Sequence, residues 1–196
     1  QLDVGTFDFT EDGASMTQAS LVTDAGSIVI VNDADNTADR TLAGLTLGGG
    51  IVDFGTLNAD GTGHITTGQF ANTSTTDSTT TIRVNLGELD EGTGASVFDT
   101  GTSVVLVNGY SGTVGTDNLV LDSTDGNGVN VVQTVSQNGI DRANLHYADG
   151  TLVSDEGSLS AQWGLSVIEL IDTTEGFTID ASGESGQSGA ITALIS

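Results

Sequence analysis

The sequence predicts an all-β chain, arranged as a β-solenoid of short stacked coils, with a β-sandwich as the alternative. Three observations lead there. Short β-type runs recur along the whole chain, and no helical stripe persists for three turns. Aromatic residues make up only 5% of the 196 residues, few for a sandwich that needs large side chains between its sheets. Small and β-branched residues dominate instead, and these stack well in ladders between successive coils. Proline is absent, which suits a body whose strands are mostly central and need their N–H groups. Coils of roughly 20–25 residues would give about eight or nine rungs at ~4.8 Å each. Residues 1–196 are read as one such segment.

The expected strands follow in order. Ser27–Val31 (SIVIV) lies between Gly26 and Asn32, both turn formers. Thr41–Leu47 (TLAGLTL) and Ile51–Phe54 (IVDF) flank the glycine triplet Gly48-Gly49-Gly50. Thr80–Leu86 (TTIRVNL) grows out of the end of a polar tract, Thr73–Thr81, read as either a surface loop or an exposed threonine ladder. Ser103–Val107 (SVVLV) ends at Asn108-Gly109, and Asn118–Leu121 (NLVL) ends at Asp122. Val129–Val135, Leu165–Ile171, Phe177–Ile179 and Ala190–Ile195 complete the set.

Charge excludes whole classes of partner. Against 27 acidic residues stand three cations, Arg40, Arg83 and Arg142, so the formal charge is −24. Three scattered arginines cannot neutralise a nucleic-acid backbone or an anionic lipid surface. With no cysteine there is neither a disulfide framework nor a thiolate metal site. No apolar run approaches the ~18–20 residues of a membrane span. The regular placement of Val, Ile, Leu and Thr argues against disorder despite the acidity.

The stretch Asp39–Leu57 (DRTLAGLTLGGGIVDFGTL) resembles the passenger region of adhesin-type autotransporters of Gram-negative bacteria. It matches their L-x-L-x-G-G-x-V-x-F rung through Leu45, Leu47, Gly49, Gly50, Val52 and Phe54. A second match runs through Leu119–Ile179, with Trp163-Gly164-Leu165, then Val167, Ile168 and Leu170, then Phe177-Thr178-Ile179; Trp163 stands where the family more often has Tyr. The matches cover somewhat less than half of the chain. The resemblance implies a right-handed parallel β-helix, exported across the outer membrane and displayed at the cell surface or released. The implied role is attachment, self-association or biofilm formation without catalysis. The alternatives are a structural stem or folding-nucleation module, and a polysaccharide-active β-helix enzyme. The chain begins at Gln1, without Met, and its last residues look like the first strand of a further coil, so it reads as a piece of a longer passenger. The extreme acidity without lysine departs from the family and points to a salt-rich or Ca²⁺-rich setting.

Candidate sites follow from oxygen clustering. Asp33, Asp35 and Asp39, in NDADNTAD, read as either a Ca²⁺ loop or a solvated turn. Asp117, Asp122 and Asp125, in TDNLVLDSTDGNG, pose the same choice. An EF-hand counted from Asp122 would need Glu at its twelfth position, where Gln133 stands. The expected metal ligands are therefore Asp122, Asp125, Asp33 and Asp35 for Ca²⁺, with no other cofactor. His64 and His146 both sit beside turns and read as solvated or hydrogen-bonded histidines, because no G-x-S-x-G elbow accompanies them. The carboxylate pairs Asp90–Glu91 and Asp155–Glu156 lack glycosidase geometry, since neighbours on a strand face opposite ways. Tyr110, Tyr147 and Trp163 read as either sugar-stacking residues or coil-filling ones. Asn72-Thr73-Ser74 has the form of a glycosylation sequon. The expected partners are a second copy, or a glycan or protein at another cell surface, with neither nucleic acid nor lipid.

Overall fold

The computed structural model describes residues 5–10, 16–32, 39–56, 64–85, 102–123, 133–137, 140–147, 150–163 and 165–170, and every regular element among them is a strand. The chain is all-β, as its sequence predicts.

A first, five-stranded sheet holds β1 (Gly5–Asp8), β3 (Ser27–Ile30), β5 (Gly50–Thr56), β8 (Thr80–Asn85) and β10 (Leu119–Asp122) in that spatial order. Every neighbouring pair in it is parallel. The strands between them in sequence belong to a second sheet: β2 (Met16–Val22), β4 (Arg40–Leu47), β6 (Ile65–Thr67) with β7 (Phe70–Asn72), and β9 (Thr102–Asn108). These too pair in parallel, with β6 and β7 end to end along β4. From β1 to β10 the chain thus alternates between two open sheets, adding a strand to each in turn.

Register explains the core. On the inner face of the first sheet Phe7, Val29, Val52, Ile82 and Leu121 stand in one row, one residue per strand. Across from it, Leu21, Leu45 and Phe70 form a row on the second sheet. Val29, Val52, Ile82, Leu45 and Leu21 are buried, and Phe7, Phe70 and Leu121 pack against them. Like side chains stacked at strand spacing fill the interior without large rings. A parallel strand cannot follow its neighbour by a tight hairpin, so each return passes through the other sheet.

The L-x-L-x-G-G-x-V-x-F stretch has a direct physical account. Leu45 and Leu47 are buried from β4, Val52 and Phe54 are buried from β5, and the glycines make the corner between the sheets. Gly50 has φ +83°, and a Cβ there would lie 2.8 Å from the Asp24 carbonyl oxygen of the corner below. Only glycine meets both demands.

The parallel pattern does not continue to the end. β13 (Thr151–Asp155) and β14 (Ser158–Trp163) form a hairpin through Glu156-Gly157, with Gly157 at φ +73°. A two-residue connection requires antiparallel strands, and β14 then pairs antiparallel with β9, extending the second sheet so that β13 becomes its edge. A third sheet, β11 (Gln133–Gln137), β12 (Ile140–Tyr147) and β15 (Leu165–Leu170), is antiparallel throughout. Here the structure departs from a uniform stack of parallel coils over residues 1–196. Trp163 closes β14 and Leu165 opens β15, and with β10 in the first sheet the second resemblance stretch is divided among all three sheets. Phe177–Ile179 and Ala190–Ile195 lie outside the described residues.

Candidate functional site

Two polar constructions emerge, a charged row on the first sheet and a corner stack between the sheets. The row follows from register. Asp53 pairs with Arg83 and Arg83 with Asp122, so three charges of alternating sign stand on neighbouring strands. Arg83 Nη1 lies 3.5 Å from Asp53 Oδ2, and its Nε lies 3.4 Å from Asp122 Oδ2. The Asp53 carboxylate also accepts from the Gly55 amide at 2.9 Å. With the arginine side chain 43% exposed, these long contacts contribute at most about 1 kcal/mol.

The corner stack begins at the Asp24–Ser27 turn, where Ser27 Oγ donates to the Asp24 carbonyl at 2.7 Å. The Gly48-Gly49-Gly50 corner rests on it, with the Gly48 amide donating to Thr23 Oγ1 at 3.3 Å. Above lies the threonine-rich tract. Ser78 Oγ donates to the Gly48 carbonyl at 2.7 Å, Thr73 Oγ1 donates to the Leu47 carbonyl at 3.1 Å, and Ser74 Oγ and Thr80 Oγ1 are 2.7 Å apart. The tract is a surface turn whose hydroxyls are tied to the corner beneath. The next layer is tied in turn, because Asn72 Nδ2 donates to the carbonyls of Gly115 and Asp117 and Asn118 Nδ2 donates to that of Ser74. The sequon amide at Asn72 is thus held by two carbonyls. Asn118 takes φ +60°, a conformation asparagine tolerates better than most residues.

Of the expected Ca²⁺ ligands, Asp122 is the one among the described residues. Asp122 faces Arg83, whose charge competes with any cation, and Asp33, Asp35 and Asp125 lie outside the described residues. Asp117 lies in the turn before β10, and Asp39 accepts from His64: Nδ1 is 3.0 Å and the backbone amide 3.3 Å from Asp39 Oδ1. Among the described residues no three His, Asp or Glu side chains cluster as a metal site would require. The Asp39–His64 pair has the orientation of a histidine held by a carboxylate, yet no described hydroxyl bonds to the ring. His146 and Tyr147 lie in β12, and Asp90–Glu91 lies outside the described residues.

Asp155–Glu156 is split by the hairpin turn: Asp155 ends β13, and Glu156 Oε1 accepts from the Gly112 amide at 3.0 Å. Trp163 is 3% exposed and Tyr110 6%, so neither offers a face to a sugar. Tyr110 packs against Phe70 with ring centroids 5.1 Å apart. Burial pushes its phenol above the ordinary value, and the charges of Asp155 and Glu156 push the same way. The Ser154 hydroxyl opposes the shift without reaching full hydrogen-bond geometry.

Arg40 is the residue that sequence reasoning passed over. It is 1% exposed and donates from Nε to the Val31 carbonyl at 3.2 Å. Strand parity was the available signal, because Arg40 shares the inward side of β4 with Leu42. Among the described residues no helix is long and apolar enough to cross a membrane. No protein-family model matches the sequence, and no curated protein or solved structure matches it.

Proposed function

We propose that the chain is a non-enzymatic segment of a surface-displayed or secreted passenger, a right-handed β-solenoid that attaches by self-contact between copies. The observation that carries this reading is the strand-by-strand alternation between two mostly parallel sheets, which builds rigid faces from short repeats. The Asp39–Leu57 resemblance supports it, since its glycines serve as the corner of a coil. The buried Tyr110 and Trp163 and the turn-bound Glu156 lend no support to sugar cleavage. Self-contact at −24 needs screening, because like charges repel until the Debye length shrinks from ~10 Å at 0.1 M salt to ~3 Å at 1 M.

Sedimentation velocity at low and high salt, with and without millimolar Ca²⁺, tests the reading. Association that grows with screening or Ca²⁺ is expected. A monomer under every condition would remove self-contact and favour the stem role. One observation favours that second role: the corner hydroxyls of Ser74, Ser78 and Thr80 are already bonded within the stack.

A further inference from the structure

Charge is divided unevenly between the two large sheets. The first displays Asp8, Asp53, Arg83 and Asp122 in a single cross-strand line, with Ile30 between Asp8 and Asp53. The seven strands of the second sheet hold only two charged residues, Arg40 and Asp155. Arg40 is buried within the body, and Asp155 ends the edge strand β13. Apart from Asp155 at its free edge, the outer side of the second sheet is therefore a neutral field on a chain of charge −24. Thr41, Ala71, Val105, Val153 and Gln162 represent it, with Val105 39% exposed at its centre. A solvated sheet face in so acidic a chain has no need to avoid charge, whereas a face that meets another copy does.

We infer that the outer face of the seven-stranded sheet is where two copies of this chain meet. The inference deepens the self-contact reading above and rests on it. Three arguments select a second copy as the occupant. A neutral face is the place where two strongly acidic bodies approach with least repulsion. Thr, Asn and Gln side chains each donate and accept, so one such face satisfies its own image across a two-fold axis. The area fits a weak contact: six strands side by side, ~4.8 Å apart and ~20 Å long, offer about 500 Å² per copy. A total of about 1,000 Å² sits at the low end of specific interfaces, where binding is transient and many weak contacts on one surface add up.

The test places single charges on each face and reads association by sedimentation velocity in 1 M NaCl. Val105→Asp and Ala71→Asp alter the neutral face; Val120→Asp, at a position 49% exposed on the first sheet, is the control. Circular dichroism and a urea melt establish that each variant is folded. Both neutral-face variants are expected to weaken association roughly tenfold or more, because a charge is buried without a partner. Val120→Asp is expected to leave it unchanged. An equimolar mixture of Val105→Asp and Val105→Lys is expected to associate again, a rescue that misfolding cannot imitate. If the wild type associates and only Val120→Asp weakens it, the face is wrong while self-contact stands. If the wild type stays monomeric at every salt concentration, self-contact itself fails, and the neutral face belongs to a different, uncharged partner.

Discussion

Gly50 and Gly112 form a natural pair for measuring how tightly the corners stack. Their φ angles are nearly identical, +83° and +82°. Their surroundings differ. A Cβ on Gly50 would press on Ser27 and Asp24 backbone oxygens in the corner below, whereas a Cβ on Gly112 would meet nothing within 4 Å. Gly112→Ala therefore isolates the conformational cost, about 1–2 kcal/mol for a left-handed alanine, offset by ~0.4–1 kcal/mol from the stiffer unfolded chain. Gly50→Ala carries the same balance plus overpacking against backbone that cannot rotate away, about 1–3 kcal/mol. The expected difference between the two variants is thus about 1–3 kcal/mol, with Gly50→Ala the less stable. Urea unfolding followed through the fluorescence of Trp163, the one tryptophan and a buried one, reads both. Equal losses within about 0.5 kcal/mol would refute close stacking of successive corners, because the conformational cost is common to both.

Other substitutions probe other contacts. Ser78→Ala removes the hydroxyl that donates to the Gly48 carbonyl and is expected to cost about 0.5–1.5 kcal/mol in the same urea assay. Arg83→Gln breaks two long, half-exposed ion pairs, so a loss above about 1 kcal/mol would show the charged row to be stronger than its geometry implies. The raised Tyr110 phenol gives a signed pH dependence. Its folded pKa exceeds the unfolded value, so its contribution is intact below pH ~10 and is lost as pH rises through the folded pKa. Tyr110→Phe should flatten the fall in stability above pH ~10, and urea melts at stepped pH would show an unchanged slope if the phenol is not responsible.

Much of the parallel body is legible in the sequence. TLAGLTL, IVDF and SVVLV lie on strands, as do SIVI and TTIRVN of two further expected runs, because alternation and glycine or asparagine boundaries are local properties. The unrecognised strands lack those signals. β2 (MTQASLV) exposes four consecutive residues, and β6 and β7 are three residues each. The spacing between paired strands is faint in the sequence for a reason visible in the register. Gly5 pairs with Ser27 and Ile28 with Ile51, close to the expected repeat, but Thr80 pairs with Leu119 far along the chain. Long inserts between later strands erase periodicity from the sequence without disturbing the ladder. The fate of Asp122 was illegible for another reason. Its neighbour across the sheet is Arg83, set by a parallel register that no short motif encodes.

The same register argument explains why the charged and neutral faces separate. In a parallel sheet each outward position repeats from strand to strand, so one acidic residue per strand becomes a line of acids at strand spacing. A line of like charges ~4.8 Å apart repels itself, and like charges directly opposite are destabilising. The first sheet contains the problem: Ile30 interrupts the line between Asp8 and Asp53, and Arg83 sits between Asp53 and Asp122. The second sheet avoids it by confining outward charge to Asp155 on its edge strand, with Arg40 turned inward. Two of the three arginines in the chain are thus placed where stacking alone would have been unfavourable or where the core needed a long donor. The substitution Ile30→Asp tests the logic, since it would join Asp8 and Asp53 into one unbroken row of carboxylates on adjacent strands. The expected loss of stability is larger at low salt than at 1 M salt, because screening relieves the repulsion once the Debye length falls to ~3 Å. A salt-independent loss would mean that the line is governed by side-chain packing rather than by charge.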